Sequence, residues 1–63
     1  MEYERFEGLL LAKLILERKL HETEPMYRGY MKRAIERIDE ILTADPEYTE
    51  KLKRYAHKFR VVG

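Results

Sequence analysis

Five cations crowd the last quarter of the chain: Lys51, Lys53, Arg54, Lys58 and Arg60, with His57 and the aromatic residues Tyr48, Tyr55 and Phe59 interleaved. Cations on one helix can neutralise several phosphates, and such binding weakens steeply with salt. Residues 47–63 hold two acids and five bases (+3), against six and four (−2) in residues 1–24 and four of each (0) in residues 25–46. An ordinary solvated helix shows the same layout. Glu47 and Glu50 lie early in the segment and the bases late, the order that a helix dipole favours. On a helical wheel Lys51, Arg54 and Lys58 share one flank, Lys53 and Arg60 the other, and Leu52, Tyr55, Ala56 and Phe59 form a narrow inward face. The aromatic residues therefore read as core rather than as platforms for bases.

His21 and His57 raise the question of a metal, with Glu17 one turn before His21 and Glu22 beside it. Two ligands on one helix face do not complete a site, and the Glu-x-x-His spacing of di-iron bundles fails because position 18 is Arg. No metal or cofactor is expected. Catalysis has equally little to work with. Ser and Cys are absent, so the hydroxyl nucleophiles reduce to Thr23, Thr43 and Thr49, two of them at turn or cap positions. Gly8, Gly29 and Gly63 are isolated and build no phosphate loop. The chain reads as non-enzymatic.

Three helices must position these residues. Pro25 and Pro46 each fit the first turn of a helix, and Asp45 directly before Pro46 is the clearer start signal. No run alternates apolar and polar residues with a period of two. Helices are expected at about 2–21, 25–43 and 46–60. In the middle one, Tyr27, Tyr30, Met31, Ala34, Ile35, Ile38, Ile41 and Leu42 cover one side, and Arg28, Lys32, Arg33, Glu36, Arg37, Asp39 and Glu40 the other. Lys32 with Glu36 and Arg37 with Glu40 are spaced for surface ion pairs.

From Ala34 the spacing Ala34, Ile38, Ile41, Pro46, followed by Leu52, Tyr55, Ala56 and Phe59, resembles the second helix of a tetratricopeptide repeat and the first helix of the next. The resemblance covers residues 34–59. Upstream it ends, because the corresponding large, small and aromatic positions would fall on Arg18, His21, Glu22 and Pro25. Any two antiparallel helices joined by an Asp-Pro turn tend to the same spacing, and that is the reading adopted.

The first helix is different in kind. Seven of the eight residues from Leu9 to Leu16 are apolar, so apolar surface wraps the cylinder: Tyr3, Leu10 and Leu14 on one line, Phe6, Leu9, Leu16 and Leu20 on another, Leu11 and Ile15 on a third. Two further helices can cover about two of those lines. Leu11 and Ile15 are then left for a neighbour outside the chain.

Length and composition bound the rest. The chain has 63 residues, 44% hydrophobic and 40% charged, with a net charge of +1. Such a length makes one domain whose core is marginal, and without Cys no disulfide can staple it. Ser, Asn, Gln and Trp are missing too, as in thermophile proteins or an artificial sequence. The near-neutral balance creates no global field toward nucleic acid or membrane. The longest apolar stretch is interrupted by Lys13 and falls short of the roughly 18 residues of a membrane span. The acidic start Met1-Glu2-Tyr3-Glu4-Arg5 lacks a basic secretory n-region, so a cytoplasmic location is the default.

The expected protein is all-α: a helical hairpin plus a third helix, forming part of an oligomeric helical bundle, with a dimer as the first choice. Its expected role is that of an interaction or regulatory protein that self-associates and binds a protein partner. The expected interface is Leu9, Leu11, Leu14, Ile15 and Leu16. The alternative is a small nucleic-acid-binding regulator using Lys51, Lys53, Arg54, Lys58 and Arg60; an artificial helical sequence without a biological task is a third reading.

Overall fold

A computed structural model describes residues 1–59. It holds three helices in the expected order: α1 (Tyr3–Leu20), α2 (Pro25–Thr43) and α3 (Tyr48–Lys58). Helix α1 and α2 form an antiparallel hairpin, tied across its middle by Lys13 Nζ donating to Asp39 Oδ1 at 2.7 Å. The connection closes with Thr23 Oγ1 donating to the Lys19 carbonyl and Arg28 Nε donating to the Thr23 carbonyl.

Helix α3 starts two residues later than expected, for a reason that lies in Asp45. The Tyr48 N–H donates to the Asp45 carbonyl at 3.0 Å, and the Glu47 N–H donates to Asp45 Oδ1 at 2.8 Å. Asp45 thus does what a capping residue does, but across a turn that precedes the helix. Pro46 sits in that turn. The helix ends at Lys58 with Phe59 as its C-cap, short of the expected end at residue 60, which itself lies outside the described residues.

Two pairs orient α3. Arg54 lies over the Tyr3 ring at 3.9 Å, and Lys58 Nζ donates to Glu7 Oε1 at 3.0 Å. Each partner advances by four residues, so α3 runs parallel to α1 and the topology is up, down, up. The core forms where all three helices meet. Phe6, Leu10 and Leu42 are buried, and Leu9, Ile38, Tyr48, Leu52 and Tyr55 pack against them. The Phe6 and Tyr48 rings meet edge to face with centroids 6.0 Å apart.

This core is lopsided, and the cause is length. At about 1.5 Å per residue the 11 residues of α3 reach about 16 Å, against about 28 Å for the 19 residues of α2. Since α3 begins at the end carrying Tyr3 and Leu42, it stops before the α1–α2 connection. The inward face expected of α2 is corrected accordingly: Tyr27 and Tyr30 are 53% and 69% exposed, and Met26 beside them 68%. Only from Met31 onward are the apolar positions of α2 at least half-buried.

The face of α3 is corrected as well. Leu52 and Tyr55 point to the core as expected, but Ala56 and Phe59 are exposed and Lys51 is buried. Phe59 instead lies on Tyr55, with ring centroids 4.8 Å apart. Of the two expected surface pairs on α2, Arg37 with Glu40 forms at 3.3 Å; Lys32 has no carboxylate partner among the described residues.

Candidate interaction surface

Along α1 the burial pattern separates the apolar residues into two groups. Phe6 and Leu10 are hidden, and Leu9 packs against the same core, which turns Leu9 into the molecule rather than out of it. Four and five residues beyond Leu10 the chain outruns α3, and the apolar pattern continues without cover. Leu14 is 43% exposed and Ile15 58%, with Leu11 half-buried before them. Leu16 is half-buried.

Leu11, Leu14 and Ile15 line an open groove of about 380 Å³ whose other walls are Arg18 and Tyr55. Tyr55 was legible in the sequence only as a core residue. In the structure its ring serves both sides, touching the core and flooring the groove beside Leu11. The groove begins where α3 ends. Its walls are aliphatic and aromatic, with one cation among them.

The basic residues of α3 have different positions. Lys51 Nζ donates to Asp45 Oδ2 at 2.6 Å and to the Met1 carbonyl, and both side chains are at least nine-tenths hidden. The Met1 ammonium lies 3.8 Å from the same carboxylate oxygen. The Lys51 hydrogen bond, followed by that from the Glu47 N–H, holds the Asp45 carboxyl below its ordinary value. Lys51 thus belongs to the joint between the α2–α3 turn and the start of the chain, and is withdrawn from the surface.

Arg54 rests on Tyr3, and Lys58 on Glu7. Both face α1. Lys53 is exposed on the outer side, 4.0 Å from Glu50. Arg60 lies outside the described residues. Of the five cations named for the nucleic-acid alternative, Lys51 is buried, and Arg54 and Lys58, expected on the same flank, lean on α1. Sequence reasoning missed the Asp45–Lys51 pair because residues six apart across a turn share no helical face; only the Asp-Pro cap signal pointed to the place.

The Tyr3 hydroxyl is buried and has no hydrogen-bond partner, and Arg54 lies over its ring. His21 and His57 are both exposed, and among the described residues no three His, Cys, Asp or Glu side chains converge on one point. No described helix is long and apolar enough to cross a membrane. No protein-family model, no curated protein and no solved structure matches the chain.

Proposed function

We propose that this chain is a small non-enzymatic helical interaction protein, cytoplasmic, that pairs with a second copy of itself through the uncovered half of its hairpin and in that form binds a protein partner. The single observation carrying this reading is the run of exposed Leu14 and Ile15 beside Leu11 and Tyr55, beginning where α3 stops. The third helix covers the hairpin along little more than half of its length. A second copy offers the same surface in return, which is the self-complementary arrangement of a twofold dimer. Its docking would cover Leu14 and Ile15 and supplement a core that, among the described residues, has three buried apolar side chains.

Leu9 packs within the chain, so Leu11, Leu14 and Ile15 form the centre of this interface and Leu16 its edge. The nucleic-acid alternative has less to support it, since Lys51, Arg54 and Lys58 are each engaged with another part of the chain.

Sedimentation equilibrium at micromolar concentration tests the proposal. A dimer is expected for the unaltered chain, and a helical monomer for Leu11→Glu with Ile15→Glu. A monomeric unaltered chain overturns it, as does a double variant that loses its helix, because these would then be ordinary core positions.

A further inference from the structure

At the other end of the hairpin, Leu20 and His21 from the end of α1 and Arg28 and Lys32 from α2 line a cleft of about 230 Å³. We infer that this cleft binds a phosphate group of a small soluble anion, with Arg28 and Lys32 as its charged ligands and His21 as a further donor. Three observations carry the assignment. First, Arg28 and Lys32 stand one turn apart on the same face of α2, so their charges add at one point. Second, Arg28 is already oriented: its Nε donates to the Thr23 carbonyl at 3.0 Å, which leaves the two terminal nitrogens of the guanidinium for a ligand. A guanidinium held this way presents the planar fork that matches two phosphate oxygens.

The third observation is the absence of competition. No carboxylate lines the cleft, and the nearby Glu22 is 3.6 Å from Lys19 instead. Among the described residues neither Arg28, Lys32 nor His21 forms an ion pair, while Lys13, Arg37, Lys51, Lys53 and Lys58 each do. Arg and Lys facing one recess without a counter-charge leave the positive potential there for an anion from solution. The imidazole of His21 donates a hydrogen bond in either protonation state, and Leu20 forms an apolar floor. The space admits a phosphate or diphosphate group.

Titration of the full chain at low salt with inorganic phosphate and with pyrophosphate, followed by NMR shifts, tests the site. Saturable shifts confined to His21, Arg28, Lys32 and their neighbours are expected, with pyrophosphate binding more tightly than phosphate. Arg28→Ala with Lys32→Ala should weaken binding at least tenfold while circular dichroism keeps its helical signal, and Lys53→Ala should leave it unchanged. Shifts that never saturate, that spread over all Lys and Arg residues, or that survive the double variant overturn the assignment. A third arm uses vesicles containing phosphatidic acid: binding to vesicles without binding to either free ion also overturns it.

Discussion

Lys51 Nζ lies 2.6 Å from Asp45 Oδ2, and this contact, between residues six apart, joins the α2–α3 turn to the first turn of α3 while Lys51 also reaches the Met1 carbonyl. A hidden charge left without its partner is far worse than a hidden pair. Lys51→Met and Asp45→Leu are each expected to lower the melting temperature sharply. The double variant should recover a good part of the loss. Thermal unfolding of the three variants reads this, and a double variant no better than the worse single one would contradict it.

The same pair sets the acid response. Asp45 titrates below its ordinary value of 3.8 because the folded chain favours its charged form. Its contribution is complete above that value and disappears as pH falls through the lower value of the folded state. Urea midpoints should therefore decline below about pH 4, and less steeply in Lys51→Met than in the unaltered chain.

At the alkaline end Lys13 behaves oppositely. Its hydrogen bond to Asp39 raises the lysine above its ordinary value of 10.5, with burial opposing. Protonated Lys13 is thus the form that folding favours, and its contribution is complete below 10.5 and lost as pH rises through the higher folded value. Lys13→Met should flatten the stability profile above about pH 10; an unchanged profile would remove Lys13 as the cause.

Core and surface positions should separate cleanly. Leu42 is fully buried, so Leu42→Ala should cost about 2–5 kcal/mol, a large part of the stability of a chain this small. Tyr30→Ala, at a position 69% exposed, should change monomer stability by no more than about 0.5 kcal/mol. Chemical denaturation at low protein concentration compares the two.

The Tyr3 hydroxyl provides a sharper test. Removing a buried oxygen that has no partner relieves a desolvation cost, so Tyr3→Phe should be neutral or stabilising by up to about 1 kcal/mol. A loss of that size instead would show that the hydroxyl has a bound partner, and Arg54→Ala, which uncovers the ring, should be the destabilising change of the two.

Much of this fold is legible without coordinates. The 3.6-residue periodicity, the two Pro starts and the lack of any alternating run define three helices, and their limits agree with the structure to within about two residues wherever it is described. The surplus of apolar residues from Leu9 to Leu16 is a property of composition and period alone, and so is the prospect of an uncovered strip. Local preferences act over three or four residues, which is why these features need no tertiary knowledge.

What only the tertiary structure decided is which residues the third helix hides. A wheel gives directions but not lengths in space. It cannot show that α3, parallel to α1, ends before the hairpin does, leaving Tyr27 and Tyr30 in solvent and moving the exposed strip onto Leu14 and Ile15 while Leu9 joins the core. Nor can it show that Lys51 folds inward, because the attraction of a hidden Asp45 carboxylate acts across a turn and overrides the polar position that the helical period assigns to that lysine.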